Sequence, residues 1–334
     1  MTNPNPLDNN DGSRFVFAVD LGGTHLRAAL VDENGEILFH FKQSTPHTGN
    51  QSDIVQAIVA AARSCQLPVD GSGALAVSVV VPGSVNVAEG LVVRAPNVSC
   101  LDGVYLAAIL ERELKVPTIL ENDANAAAVG ELWRGAGRGY HSLICLTLGT
   151  GVGGGIIFDE KLWRGADGSA AEIGHMAIDP FLGVPCPCGS RGCLEVYASA
   201  TGIVRMAGEA RTHYPQSNVR QADDLTAQEI YCAGKKGDQL AQEVFRRMGV
   251  YLGVGLANLI NLLNPEIIVL GGGVVNGLEL FEKHMRQEIA KRAFPLPATS
   301  VKIVRAECGD DAGLLGAARL AFASPLKEIK RNQK

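Results

Sequence analysis

Two stretches decide the fold of this chain: residues 15–31, FVFAVDLGGTHLRAALV, and residues 141–158, HSLICLTLGTGVGGGIIF. Each starts with an apolar run typical of a buried strand, passes through a glycine-rich turn and returns as a second strand. In the second stretch we predict the turn over residues 149–155 and the returning strand over 156–158. Because the same order opens two separate parts of the chain, the sequence predicts two halves that begin alike.

The segments that follow each opening alternate between strand and helix patterns, which is typical of an α/β architecture. We predict a disordered tail over residues 1–14, which are polar, and a first α/β lobe over 15–131. The second lobe is predicted over 132–311, and a final helix, 312–324, is expected to pack back on the first lobe. No low-complexity linker separates the lobes, so the boundary is expected inside compact sequence.

Composition excludes several classes of protein. The 334 residues carry 30 basic and 35 acidic side chains, a formal charge of −5, and the basic residues form no run outside the tail at 327–331. Nucleic acid is therefore not an expected partner. The most apolar stretch, 143–158, is interrupted by glycines and is too short for a membrane span, and the N-terminus lacks a secretion signal. Most cysteines are isolated, which is typical of reduced thiols, so we expect a cytoplasmic protein.

The run Gly149–Gly154 matches G-x-G-x-x-G, but we do not expect a dinucleotide-binding turn or a nicotinamide-dependent oxidoreductase. That motif opens a helix, whereas a strand follows here. A P-loop is also excluded, because the only Gly-Lys pair is not followed by Ser or Thr. Instead, two glycine hairpins are predicted to offer backbone N–H groups and a threonine hydroxyl to phosphate oxygens, with Asp20 available to hold Mg²⁺. Their residues are Gly22, Gly23 and Thr24 in the first half, and Gly149, Thr150 and Gly151 in the second.

The segment 120–128, LENDANAAA, ends a strand and begins an alanine-rich helix. Asn122 or Asp123 is typical of a helix N-cap, and that reading stays open. A carboxylate at such a corner is also suited to accept a hydroxyl proton while the oxygen attacks a γ-phosphate.

Three of the eight cysteines lie close together, at Cys186, Cys188 and Cys193, with His175 shortly before them. Three thiolates and one imidazole are a ligand set suited to tetrahedral Zn²⁺. Because four protein ligands close the coordination shell, the predicted zinc is structural. A redox site is the alternative, but Cys-Pro-Cys differs from the Cys-x-x-Cys of thioredoxin-like centres.

Taken in order, six motifs resemble those of the ROK family of bacterial sugar kinases, and in particular its glucokinases. They are DLGGT at 20–24, APN at 95–97, ENDANAAA at 121–128, LGTGVGGG at 148–155, AEIGH at 171–175 and C-x-C-G-x-x-G-C-L-E at 186–195. The resemblance covers residues 15–322. It implies an actin-like, two-lobed ATPase fold of the hexokinase or ribonuclease H type, with sugar and ATP in the cleft between the lobes, and a homodimer.

The resemblance also implies roles for individual residues. Asp123 would be the general base, and the glycines that follow a late strand, Gly271, Gly272 and Gly273, would let the backbone approach the adenosine of ATP. Other hydroxyls of the sugar would meet Asn97, Asn122, Glu172, His175 and Glu195. If one nitrogen of His175 binds zinc, the other is oriented toward the sugar, and Cys193 brings Glu195 into place.

The expected reaction is ATP- and Mg²⁺-dependent conversion of glucose to glucose 6-phosphate. N-acetylmannosamine, N-acetylglucosamine and fructose stay open as substrates, because the same polar residues would serve them. A sugar-binding regulator of the same family is a further alternative. Such proteins resemble this one with a helix-turn-helix domain ahead of the first glycine turn, and only 19 residues precede Asp20. The segment between His175 and Cys186 is longer than the family pattern.

Overall fold

The computed structural model describes residues 14–65, 74–219 and 225–324. The predicted tail, apart from Arg14, lies outside these ranges. The first half contains the strands β1 (Phe15–Leu21), β2 (His25–Asp32), β3 (Ile37–Ser44), β4 (Ala74–Val81), β5 (Ser84–Asn86), β6 (Leu91–Arg94) and β7 (Thr118–Asn122), and the helices α1 (Gln51–Ser64), α2 (Leu106–Leu114) and α3 (Asp123–Arg134). The second half contains the strands β8 (Leu143–Leu148), β9 (Val152–Phe158), β10 (Lys161–Leu162), β11 (Ile267–Gly271) and β12 (Lys302–Arg305), and the helices α4 (Glu195–Ala198), α5 (Ala200–Ala210), α6 (Ala227–Lys235), α7 (Gln239–Leu263), α8 (Leu278–Arg292), α9 (Pro295–Ser300) and α10 (Ala312–Ala323).

Two five-stranded sheets have the same topology. The first has the order β3-β2-β1-β4-β7 and the second has the order β10-β9-β8-β11-β12. In each sheet the first three strands form an antiparallel meander and the other two run parallel to the central strand. The prediction that the two halves begin alike is therefore confirmed.

Strand β1 is buried on both faces, because helices cover both sides of its sheet. Phe17 and Val19 point into a core with α1 and α2. Val16 and Ala18, on the opposite face, pack with residues of α10 such as Leu314. The alternation follows the two-residue period of a strand, and it places the C-terminal helix on the first sheet.

Helices α3 and α10 lie against each other between the two sheets. Their backbones approach so closely that a Cβ at Gly316 would overlap the carbonyl oxygen of Ala126, and one at Gly130 would overlap that of Ala312. Helix α3 also packs on the second sheet, where Ala128 and its neighbours join a core with β8 and β11. The predicted lobe boundary at residue 131 falls inside α3 and stays a prediction.

The second glycine turn is shorter than the predicted 149–155. The turn comprises residues 149–151, and β9 already begins at Val152, so three glycines lie in the strand. The reason is packing, because a Cβ at Gly155 would lie 2.6 Å from the Cβ of Ala128 and 2.9 Å from the carbonyl oxygen of Ala124 in α3. The turn leads into strand β9, as the sequence predicts, and not into the helix that a dinucleotide-binding turn would open. Among the described residues, no helix combines the length and apolar character needed to cross a bilayer.

Candidate active site

A cleft of about 890 Å³ separates the two sheets, and it brings together residues that are far apart in sequence. It is lined by the predicted residues Asp20, Gly22, Gly23, Asn97, Asn122, Asp123, Gly149, Thr150, Gly151, Glu172, His175, Glu195, Gly271, Gly272 and Gly273. Thr24 is not among the lining residues. It is exposed on its turn, and its carbonyl oxygen accepts a hydrogen bond from the backbone N–H of Thr45 at 2.9 Å.

Asp123 is the first residue of α3, at the junction between the first sheet and the helix between the sheets. Its Oδ1 accepts hydrogen bonds from the backbone N–H of Ala124 at 2.8 Å and from Nδ2 of Asn122 at 3.1 Å. Burial raises the pKa of Asp123 to about 7, and the negative charge of Asp20 adds to the rise. A carboxyl group with a pKa near neutrality is suited to take up a proton from a hydroxyl group.

Asn122 is the N-cap of α3. The two interpretations of this segment, helix capping and proton acceptance, therefore concern different residues, Asn122 and Asp123. Its Oδ1 accepts the backbone N–H of Asn125 at 3.0 Å, and its Nδ2 donates to the carbonyl oxygen of Gly83 at 2.9 Å. The capping role is thus shown for Asn122, which leaves the carboxylate of Asp123 free of that role. Asn122 still lines the cleft beside Asp123.

Asp20 lies at the end of β1, next to the first glycine turn. Arg27 on β2 approaches it with Nη1 3.4 Å from Oδ2, and Nη2 of Arg27 lies 3.0 Å from Oδ2 of Asp310. Burial raises the pKa of Asp20 to about 6, although Arg27 opposes the rise. Asp20, Asp123 and Asp310 all line the cleft, and although Arg27 offsets part of their charge, their carboxylate oxygens are ligands suited to a divalent cation.

The two glycine turns lie on opposite sides of the cleft. At the first, a Cβ on Gly23 would lie 2.8 Å from the Cβ of Asn97, so glycine allows Asn97 to reach the cleft. At the second, the backbone N–H of Gly149 donates to the carbonyl oxygen of Gly151 at 2.9 Å. A Cβ on Gly151 would overlap the carboxylate of Glu195. Glycine is needed at both turns because polar side chains occupy the adjoining space.

Glu195 and His175 are held by different contacts. Oε2 of Glu195 accepts the backbone N–H of Val152 at 2.9 Å, which fixes the carboxylate beside the second glycine turn. His175 ends a 3₁₀ turn, Ile173–His175, and its Nδ1 lies 3.7 Å from Sγ of Cys186. Since Nδ1 faces the cysteines and His175 lines the cleft, Nε2 is the nitrogen left for another partner.

The four predicted zinc ligands form one cluster. The ligand atoms of His175, Cys186, Cys188 and Cys193 lie within 4.8 Å of one another. The sulfur atoms of Cys188 and Cys193 are 3.8 Å apart. Tetrahedral zinc with Zn–S bonds of about 2.3 Å places neighbouring sulfur atoms about 3.8 Å apart. The donor set and its spacing therefore fit a structural zinc ion.

A second cavity, of about 300 Å³, adjoins the cleft, and only Gly149, Thr150 and Gly273 among its lining residues were predicted. It is lined by apolar side chains and two amides, from Ala200, Ile203, Ala227, Gln228, Tyr231, Phe245, Val274 and Asn276. Gly273, with no atom of the described residues within 4 Å of an added Cβ, opens onto it. An apolar slot with a few amide groups matches the faces and edges of a purine base.

Two charged residues near Asp123, Arg27 and Glu121, had no predicted role, although their positions in apolar strands mark them as unusual. Arg27 interrupts the apolar strand β2, and Glu121 is the penultimate residue of β7, directly after Ile119 and Leu120. Charges in otherwise buried strands require partners. The sequence therefore predicts that each of these charges has a partner of opposite charge, but it does not identify that partner. Asp310 lies 283 positions from Arg27, and Arg164 lies 43 positions from Glu121.

Two sheets of one topology, facing each other across a cleft with a glycine turn on each side, define a two-lobed protein with the actin-like ATPase fold. The chain belongs to the ROK family, whose sequence model matches residues 16–324. The resemblance inferred from the six motifs is confirmed.

Relatives with different functions share this family. A glucokinase from Halalkalibacterium halodurans is 37% identical over 314 residues, which are 91% of this chain and 93% of that protein. The crystal structure of a ROK family glucokinase from Streptomyces griseus in complex with glucose and AMPPNP is similar, with a TM-score of 0.79 and 37% identity over 93% of this chain and all of that one. A xylose repressor from Caldicellulosiruptor bescii is 30% identical over 93% of this chain and 79% of its own length.

Proposed function

We propose that this protein phosphorylates a hexose with ATP, and that its substrate is glucose, converted to glucose 6-phosphate. The observation that carries the proposal is Asp123, a carboxyl group with a pKa of about 7 that lines the cleft together with both glycine turns. The similarity to glucokinases over more than nine-tenths of the chain supports glucose as the sugar.

In the proposed reaction, Asp123 accepts the proton of the sugar O6 hydroxyl as that oxygen attacks the γ-phosphorus of ATP. A new O6–P bond forms, the bond between the γ-phosphorus and the bridging oxygen breaks, and ADP leaves with the electron pair. The backbone N–H groups of the glycine turns hold the phosphate oxygens, since turns without side chains let the main chain approach. Asp20 would hold Mg²⁺, which neutralises charge on the phosphates.

Polar groups of the cleft that adjoin Asp123 and the two glycine turns are proposed to bind the sugar. Carboxylate, amide and imidazole groups provide the mixture of donors and acceptors that a polyol requires. A sugar that lacks a matching hydroxyl would leave one of them unpaired, which gives selectivity. The residues are Asn97, Asn122, Glu172, His175 and Glu195.

We propose that His175, Cys186, Cys188 and Cys193 hold structural zinc, which would fix the segment that carries His175 and Glu195. The second cavity is proposed to take the adenine base, with Gly271, Gly272 and Gly273 beside the ribose. An apolar slot of this kind favours a nucleotide over polyphosphate as the phosphoryl donor. A homodimer stays a proposal that rests on the resemblance, and a cytoplasmic location and lobes at 15–131 and 132–311 stay proposals that rest on the sequence pattern.

The test is ADP release by the purified protein with MgATP and one sugar at a time: glucose, N-acetylmannosamine, N-acetylglucosamine, fructose, mannose or none. Release that depends on glucose supports the proposal, and Asp123→Asn is the matched inactive control. Release driven mainly by another sugar overturns the choice of glucose but keeps the reaction. Sugar binding without ADP release under any condition would favour a sugar-binding regulator.

A further inference from the structure

An ion pair between buried Glu121 and half-buried Arg164 joins the two sheets close to Asp123. Glu121, whose side chain is only 2% exposed, is the residue of β7 next to Asn122 and two positions before Asp123. Its Oε2 accepts a hydrogen bond from Nε of Arg164 at 2.7 Å, and Nη2 of Arg164 lies 2.7 Å from the same oxygen in an ion pair. Its Oε1 accepts the backbone N–H of Asn122 at 3.0 Å and Nδ2 of Asn125 at 3.1 Å. The carboxylate therefore holds the corner from which Asp123 projects.

Arg164 belongs to the other half of the molecule. It follows β10, the edge strand of the second sheet, by two residues, whereas β7 is the edge strand of the first sheet. The carbonyl oxygen of Arg164 accepts the backbone N–H of Ala170 at 3.1 Å, which closes the loop that leads to Glu172. The side chain of Arg164 thus binds Glu121, two residues before Asp123, while its backbone carbonyl group binds Ala170, two residues before Glu172.

Guanidinium chemistry suits this task better than an ammonium group. Nε and Nη2 lie in one rigid plane, so the short hydrogen bond from Nε and the equally short Nη2 contact to the same carboxylate oxygen fix the direction of approach as well as the distance. A lysine is a point charge on a flexible stem and fixes neither as well.

We infer that Arg164, through Glu121, is a positioning residue that sets the spacing between Asp123 and the Glu172 loop, and so between the proton acceptor and the sugar. This inference rests on the proposed function. It assigns Arg164 no contact with either substrate. The alternative is that the ion pair only stabilises the fold, which would make any loss of activity a consequence of partial unfolding.

The double variant Glu121→Gln/Arg164→Met separates the two roles. Arg164→Met alone leaves a buried carboxylate without its cation, which destabilises the protein. Adding Glu121→Gln removes that charge, while Oε1 of glutamine still accepts from Asn122 and Asn125. We expect the double variant to recover most of the melting temperature lost by Arg164→Met. Both variants lack the ion pair between Glu121 and Arg164 that joins the two sheets. Sugar affinity and turnover should therefore stay impaired in both.

The measurements are the melting temperature, the Kd for glucose by isothermal titration calorimetry, and the KM values for glucose and MgATP. For Arg164→Met and the double variant we expect kcat/KM for glucose to fall by about 100-fold, the scale expected for a misplaced reacting group, with the KM for MgATP nearly unchanged. Arg164→Lys should fall between these variants and the wild type. Arg246→Met is the control, because it breaks an exposed ion pair with Glu243 on α7 and should behave as wild type.

If the double variant regains both stability and glucose affinity, the pair is only structural and the inference is overturned. An equal rise in the KM for glucose and for MgATP would overturn it as well, since positioning at the sugar end should spare the nucleotide. The Kd needs no turnover, so wild-type protein that binds glucose without releasing ADP would refute the kinase proposal while the positioning role is still measured. Wild-type protein that binds none of the sugars would overturn both.

Discussion

Replacing Asp123 by asparagine should abolish turnover and at the same time stabilise the folded protein at alkaline pH. Asparagine keeps the two hydrogen bonds that Oδ1 accepts from Ala124 and Asn122. It resembles the protonated carboxyl group in size and charge, so the substitution removes only the ability to ionise.

The expected magnitude follows from the pKa. Burial and the charge of Asp20 raise the pKa of Asp123 from 3.8 to about 7 in the folded protein. A carboxyl group whose pKa is raised on folding contributes full stability below its unfolded pKa, and this contribution is lost as the pH rises through the folded pKa. At about 1.36 kcal/mol per pH unit, the loss between pH 4 and pH 8 reaches about 4 kcal/mol, and water in the open cleft reduces it to about 2 to 4 kcal/mol.

The assay is denaturant or thermal unfolding of wild type and Asp123→Asn at pH 4 and pH 8. The two proteins should differ little at pH 4, and the variant should be more stable at pH 8. Glu89→Gln is the control, because it removes a carboxylate that is exposed on the β5–β6 hairpin. Its effect on stability at pH 8 should be small compared with that of Asp123→Asn.

Kinetics provide the second half of the test. For the wild type, kcat/KM for glucose should rise with pH to a plateau and be half-maximal near pH 7, because only the ionised carboxylate accepts a proton. Equal stability of variant and wild type at pH 8 would refute the raised pKa. Turnover retained by Asp123→Asn would refute the role of Asp123 as the base.

Three further substitutions test other parts of the structure. Cys188→Ser, or removal of metal by a chelator, should loosen the 175–195 segment and weaken glucose binding while ATP binding is retained; native protein without zinc by elemental analysis would contradict the proposed metal site. Ala171→Gly should raise stability by up to about 1 kcal/mol in thermal unfolding, because Ala171 has a φ of 65° that glycine adopts without strain; a lower melting temperature would contradict this. Gly316→Ala should lower the free energy of unfolding by about 1 to 3 kcal/mol or more, because the added methyl group overlaps Ala126. Gly208→Ala is the control, because Gly208 is exposed on α5, and this change should be neutral or stabilising. Equal effects of the two substitutions would argue against close contact between α3 and α10.

The local elements were predictable because their signals are local. The apolar runs around Asp20 and Gly149 predicted the opening strands of both halves. The short β5–β6 hairpin and α4 were missed, because elements of three or four residues have too few positions to show a period.

Features that depend on distant pairs were not predictable. The partners of Arg27 and Glu121 become neighbours only when the sheets assemble. Similarly, Ala171 gives no hint of its left-handed backbone, which a glycine there would have suggested. The second cavity draws side chains from several helices, so no continuous motif marks it.

The crossing of α3 and α10 determines how the cleft can change its width. Helices in backbone contact at Gly130 and Gly316 cannot slide along each other, because each carbonyl group blocks the path of its neighbour. The two sheets can still rotate relative to each other about this crossing, which then acts as a hinge. Asp123 at the start of α3 and Asp20 beside Gly313 of α10 belong to or adjoin the crossing helices, whereas Phe181, in the segment between His175 and Cys186, is exposed. We expect closure of the cleft about this crossing to move its outer walls further than its acidic centre.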